Sequence, residues 1–172
     1  MFMKIYNTLS HKEEVFIPWE EGKVSFYTCG PTVYHYAHIG NMRNYIGHDI
    51  LDKTLRFIGF DVTRCMNITD VGHLTSDSDS GDDKMVASAK KEHKSVLDIA
   101  SFYTDAFFKD FDALNCKRPE IVSNATDNIE EYIKIITKLL EDGYAYKAGG
   151  NVYFDTSKLK DYYVLTNHKE DD

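Results

Sequence analysis

One short string, Thr28-Cys29-Gly30-Pro31-Thr32-Val33-Tyr34-His35-Tyr36-Ala37-His38-Ile39-Gly40-Asn41, brings together a thiol, two histidines and two glycines. Its chemistry depends on where a helix begins. A helix N-terminus at the end of a strand presents free backbone N–H groups and the positive end of the dipole, which suits an anion such as phosphate. Gly40 permits close approach at that point, and His38 can donate a hydrogen bond to an oxyanion. Taken singly, the same letters have plainer readings. A histidine before Ile-Gly serves as a cap or a surface residue, and a lone Cys29 serves as a small buried hydrophobe.

The flanking residues supply the elements that position the string. Val24-Ser25-Phe26-Tyr27 has the composition of a strand, entered through a turn at Glu20-Glu21-Gly22-Lys23. Tyr45-Ile46, Ile50, Thr54-Leu55 and Ile58 recur at helical spacing, and Gly59 supplies the stop. Asp61 to Asn67 reads as a second strand. Strand, helix and strand of these lengths predict a parallel, right-handed βαβ unit. Such sheets hold ligands at the carboxyl ends of their strands, so Cys29 and the stretch Asn67 to Asp70 converge on one crevice.

Further along, Ser76 to Lys84 reads as a mobile polar loop. A calcium loop does not fit it: with Gly81 as the sixth position, positions one, three and five are Ser76, Ser78 and Ser80, and position twelve is Ala87. A role in ordering over substrate is a lesser alternative. A long helix is expected from about Lys84 to Asp112, its face marked by Val96, Ile99-Ala100, Tyr103, Phe107-Phe108 and Phe111, which reads as core rather than pocket. Another is expected from Asn128 to Asp142. Asp127 and Glu130 would cap it, Ile129, Ile133, Ile136 and Leu139-Leu140 would be its buried face, and Gly143 its end. Gly149-Gly150 between two alternating runs predicts a hairpin. No internal repeat is visible.

Composition sets limits. With 172 residues, 42% hydrophobic and 13% aromatic, the chain can bury a core for one domain, or one domain and part of another. No apolar run approaches the ~20 residues of a membrane helix, and the first residues lack the apolar stretch of a signal peptide. Three widely spaced cysteines fit a reducing cytoplasm. Lys and Arg number 20 against 28 Asp and Glu, a net charge of −8. Such a chain repels nucleic acid on average and points to a small-molecule ligand.

Tyr27 to Tyr34 followed by His38-Ile39-Gly40-Asn41 closely resembles the opening of cysteinyl-tRNA synthetases of class I. Lys4 to Leu9, Arg56 to Phe60, Asn67-Ile68-Thr69-Asp70, Lys109 to Asn115 and Arg118-Pro119 resemble later family segments in the same order, so the likeness runs from about Lys4 to about Asn167. The resemblance implies an α/β fold, the first half of a Rossmann-type parallel-sheet catalytic domain over residues 1–112. Residues 113–172 would begin its α+β connective insertion. It implies ATP-dependent activation of L-cysteine to cysteinyl-adenylate and transfer to tRNA(Cys).

By the same resemblance, His38 and Asn41 are catalytic, with Asn41 standing where a second histidine is common. Gly30, Thr32, His38, Gly40 and Asn41 contact ATP, which enters with Mg2+. Cys29, Gly30, Thr69 and Asp70 face the amino acid, although helix capping by Asp70 is an equal alternative. Cys29 is the first ligand of a zinc ion that binds the substrate thiolate, and His35 and His73 read as solvent or phosphate-side histidines rather than further ligands. The other ligands, the second half of the fold, the Lys-Met-Ser-Lys-Ser loop and the anticodon-binding helices fall beyond Asp172 in the family pattern. The expectation is therefore a fragment of a longer cytoplasmic monomer. Alone it would bind ATP weakly, hold zinc poorly and activate no cysteine, with tRNA contacts mainly elsewhere. A related cysteine-adenylating ligase of thiol biosynthesis and a non-catalytic binding or interaction module are the alternatives.

Overall fold

The computed structural model describes residues 3–72 and 95–166. The expectations for His73, for the Ser76 to Lys84 loop and for a helix beginning at Lys84 lie outside the described residues. In chain order the elements are β1 (Lys4–Asn7), β2 (Lys12–Val15), β3 (Lys23–Thr28), α1 (Ile39–Phe57), β4 (Asp61–Ile68), α2 (Val96–Ala113), β5 (Ile121–Asn124), a 3-10 turn (Thr126–Asn128), α3 (Ile129–Glu141), β6 (Ala145–Ala148), β7 (Asn151–Phe154) and a second 3-10 turn (Thr156–Lys158). They divide into two compact units, Pro18–Asn128 and Met1–Ile17 with Ile129–Asp172.

In the larger unit the strands run in the order β3-β4-β5, both pairs parallel, with Val24 beside Val62 and Cys65 beside Ile121. This is the α/β arrangement expected of a β3-α1-β4 unit. β5 was not foreseen, since Ile121 to Asn124 is too short to signal a strand by period alone, and it carries the sheet past residue 112. Val62, Arg64, Met66 and Ile68 are buried while Thr63 is exposed and Cys65 and Asn67 are half-buried. The buried side packs with Val33, Met42, Tyr45, Ile99, Phe107 and Phe111. Ser95 caps α2 by accepting the Asp98 N–H at 3.1 Å, and the aromatic stripe on that helix is core as expected.

α1 departs from its apolar pattern in an instructive way. Ile50 is 60% exposed, whereas Asp49 and Asp52 are buried. Periodicity of apolar letters cannot find a buried carboxylate, because its burial depends on partners from elsewhere. Asp52 accepts from Arg56 Nε at 2.5 Å and faces Arg64 Nε at 3.4 Å, an ion pair between two side chains almost wholly out of water. Asp49 accepts the Lys117 N–H at 2.7 Å and pairs with Lys53 at 2.6 Å. Glu120 completes the network, accepting from Arg56 Nη2 at 2.8 Å, from the Arg64 N–H at 2.9 Å and from Lys117 Nζ. The second guanidinium nitrogen of Arg64 reaches the Lys117 carbonyl.

The smaller unit holds two antiparallel hairpins, β1–β2 and β6–β7, with α3. Gly149 and Gly150, at φ 56° and 82°, make the turn predicted for β6–β7. Gly143 ends α3 at φ 74°, with the Tyr144 N–H on the Leu139 carbonyl. The expected buried face of α3 is not buried: Ile129, Ile133 and Ile136 are 45%, 60% and 40% exposed. Amphipathic spacing specifies a face that wants cover, not the cover itself. Among the described residues no helix is long and apolar enough to cross a membrane.

Glu120 gives this network a pH signature. Burial alone would raise its pKa, but hydrogen bonds from Lys117, from the Arg64 N–H and from its own N–H, with the Lys117 charge, bring it down to about 2 from 4.5. A carboxyl depressed on folding stabilises fully above its unfolded pKa, and the contribution is lost as pH falls from about 4.5 towards 2. Glu120→Gln is expected to lower stability at pH 7 by about 1–3 kcal/mol. It should also flatten the acid limb of a urea-unfolding series over that window.

Candidate functional site

The strand ends of β3 and β4 are knitted together by main-chain bonds. Thr69 N–H donates to the Pro31 carbonyl at 2.9 Å, Val33 N–H to the Thr69 carbonyl at 3.1 Å, and Thr32 pairs with Thr69 as an isolated parallel bridge. This approach requires a glycine. A Cβ on Gly30 would stand 1.7 Å from the Asn67 main-chain oxygen and 2.8 Å from Met66 Cγ. Asn67, which sequence reasoning placed only at a strand end, is bonded to three neighbours. Its Oδ1 accepts the Gly30 N–H at 2.9 Å and the Tyr27 hydroxyl at 2.6 Å, and its Nδ2 donates to Thr69 Oγ1 at 3.0 Å.

The helix start carries the histidine chemistry. His38 is the N-cap of α1, its Nδ1 accepting the Gly40 N–H at 3.1 Å, while Asn41 Oδ1 accepts the His38 N–H at 3.1 Å. The two bonds form a capping box built from histidine and asparagine. A backbone N–H can only donate, so Nδ1 is the acceptor and the neutral ring carries its hydrogen on Nε2. His38 thus offers a donor at a helix N-terminus, and Asn41, its oxygen spent on the cap, offers its NH2. Gly40 leaves room for the ring: a Cβ there would lie 2.9 Å from His38 Cε1. His35 is set the opposite way. Its Nδ1 lies 2.7 Å from the Tyr36 carbonyl, which can only accept, so Nε2 keeps a free lone pair.

A cavity of about 180 Å3 opens here, bounded by Gly30, Thr32, His35 and Asn41. Tyr45, Tyr103 and Phe107 wall its apolar side, so part of the aromatic stripe of α2 borders the cavity as well as the core. Tyr45 was read only as a helical apolar position, and its sequence signal was the hydroxyl on an otherwise buried face. Burial, and secondarily the nearby Cys29, push its pKa up to about 12, so it stays a neutral donor.

The remaining expected residues are distributed differently. Gly40 borders a separate groove along α1 with Arg43, Asn44, Gly47 and His48. Asp70 turns to Thr126, accepting its N–H at 3.0 Å and its hydroxyl at 2.6 Å, so of its two readings the geometry supplies the cap, on the 3-10 turn after β5. Cys29 is an exposed free thiol. Among the described residues no three His, Cys, Asp or Glu side chains are grouped to hold a metal ion. Cys29 is thus a single soft donor, and the described residues do not make a zinc site.

A parallel sheet with a helix start at the carboxyl ends of its strands is the place where α/β folds hold ligands. Residues 15–172 match the family model described as the catalytic domain of class I (C) tRNA synthetases, and the chain belongs to that family. It is similar to the cysteine–tRNA ligase of Treponema denticola, 58% identical over 97% of the chain and 34% of the relative. The cysteine–tRNA ligases of Treponema pallidum (52% identical, 94% of the chain, 31% of the relative) and Zymomonas mobilis (50%, 96% and 32%) are similar too. The chain spans about a third of the length of these curated relatives.

Gly30→Ala tests the strand-end junction. The clash is with main chain rather than a flexible side chain, so stability should fall by about 1–3 kcal/mol or more. Hydrogen exchange at the Thr69 and Val33 amides should accelerate together.

Proposed function

We propose that the larger unit forms the amino-acid and nucleotide side of a site that activates L-cysteine with ATP for transfer to tRNA(Cys). The observation that carries the reading is the cap at His38, which fixes an Nε2–H donor at the positive end of the α1 dipole. In the reaction a cysteine carboxylate oxygen bonds to the α-phosphorus of ATP, and the bond from that phosphorus to the β-phosphate bridging oxygen breaks. Cysteinyl-adenylate forms and pyrophosphate leaves with its Mg2+. The protein's part in such a displacement is positioning and charge stabilisation. His38 Nε2–H and the Asn41 NH2 donate to phosphate oxygens as negative charge builds, acting from fixed positions. Gly30, Thr32 and Gly40 let the nucleotide lie near the backbone, Thr69 lines the amino-acid side, and Asp70 supports that side through Thr126.

Cys29 belongs to the amino-acid side as a soft donor. Zinc enters the proposal through that one thiol, which suits discrimination of a substrate thiol from a hydroxyl, and no step above is routed through it. By the family pattern residues 1–112 would be catalytic fold and 113–172 the start of the insertion, whereas β5 at Ile121–Asn124 pairs with β4 in the same sheet. With a net charge of −8, the chain is assigned little of the tRNA contact.

The test replaces the matching third of the Treponema denticola relative with this chain and measures cysteine-dependent exchange of pyrophosphate into ATP. Exchange is expected, and His38→Asn, which keeps a capping oxygen but moves the donor, should lower kcat by roughly 10²–10³-fold. A chimera that folds but exchanges nothing, or exchanges equally with serine, would overturn the proposal.

A further inference from the structure

We infer that Asn67 is a positioning residue that leaves the Thr69 hydroxyl as a donor for a carboxylate or phosphate oxygen of the bound substrate. This rests on the cysteine-activating reading above. The orientation of the Asn67 amide follows from what its neighbours are able to do. The Gly30 N–H can only donate, so the atom 2.9 Å from it is the oxygen, which also takes the Tyr27 hydroxyl. The NH2 group is thereby turned to Thr69 Oγ1 at 3.0 Å, and because NH2 can only donate, Oγ1 accepts. The hydroxyl hydrogen of Thr69 is then free, and among the described residues nothing accepts it. Thr69 is itself held in place by main-chain bonds to Pro31 and Val33. One half-buried amide therefore sets the polarity of a side chain two residues on, just past the end of β4, and so fixes which kind of substrate atom fits beside it.

Asn67→Asp separates this role from simple bracing. A carboxylate of the same shape still accepts from Gly30 and Tyr27, but its second oxygen now faces Thr69 as an acceptor, so the hydroxyl turns to donate to it. The measurement is binding of a non-hydrolysable sulfamoyl analogue of cysteinyl-adenylate to the chimera described above, followed by hydrogen exchange at the Gly30 amide. Asn67→Asp should weaken binding about tenfold, the worth of one hydrogen bond. Thr69→Val should weaken it equally, the double variant should lose no more than either single one, and the Gly30 amide should stay protected in Asn67→Asp. Binding of Asn67→Asp equal to wild type overturns the inference. So do losses that add, which mark charge repulsion, and loss of Gly30 protection, which marks bracing alone. A chimera carrying the wild-type segment that binds no analogue overturns the cysteine-activating reading and this inference with it, whereas a binding wild-type chimera with an indifferent Asn67→Asp overturns the inference alone.

Discussion

The approach of Gly30 to the main-chain oxygen of Asn67 is the constraint on which the candidate site depends. With no side chain able to stand between them, the segment after β3 can run against the end of β4. The exchange of main-chain bonds between Pro31, Val33 and Thr69 becomes possible only at that spacing. The segment from Pro31 to Ala37 is thereby fixed at one end by the sheet and at the other by the cap on α1. A cavity bordered by backbone, three tyrosines, Phe107 and a histidine is what this double attachment leaves open. Local bonds set the donors around it: His35 on the cavity and His38 on the helix cap outside its lining are held with their hydrogens on different ring nitrogens.

Beneath the sheet the problem is charge. Arg64 and Asp52 are 1% and 0% exposed, and burying two ions costs several kcal/mol each unless their remaining atoms are satisfied. One atom of each ion is met, Arg64 Nη2 by the Lys117 carbonyl and Asp52 Oδ1 by Arg56 Nε. Asp52 Oδ2 and Arg64 Nε face each other at 3.4 Å with no hydrogen bond among the described residues, and Glu120 holds the Arg64 main-chain N–H and Arg56 beside them. A buried ion pair adds little net stability over apolar packing. What this one does is tie α1, β4 and the segment before β5 into one arrangement, because removing any partner would leave a charge stranded.

The sequence made legible whatever is written in local letters. The strand–helix–strand order, the Gly59 and Gly143 stops and the Gly149-Gly150 turn follow from backbone preferences that one residue can express. The string from Cys29 to Asn41 was legible as a candidate site for the same reason, since capping is local. Features whose cause lies far along the chain were not legible. Asp49 and Asp52 look like surface carboxylates until Lys117 and Arg64 are beside them, and Ile121 to Asn124 becomes a strand only because β4 offers an edge. Asp70 had two readings in the sequence, and its partner Thr126, more than fifty residues on, was visible in neither. The apolar face of α3 was read correctly as a pattern and wrongly as burial, because pattern carries no information about cover.

β5 has only four residues, yet it is fastened just outside both ends. Glu120 accepts from the Arg56 guanidinium and from the Arg64 main-chain N–H at one end, and Thr126 lies on the Asp70 carboxylate at the other. β3 joins β4 across a single helix, whereas β5 must return over a much longer stretch of chain, with the larger loop-closure entropy that entails. The order of assembly follows. The β3-α1-β4 unit, rich in near-neighbour contacts, can form first, and β5 docks last. Its two polar fastenings then set the rate at which it leaves, so local opening of this unit should begin at the β5 edge, while the strand-end crevice between β3 and β4 persists.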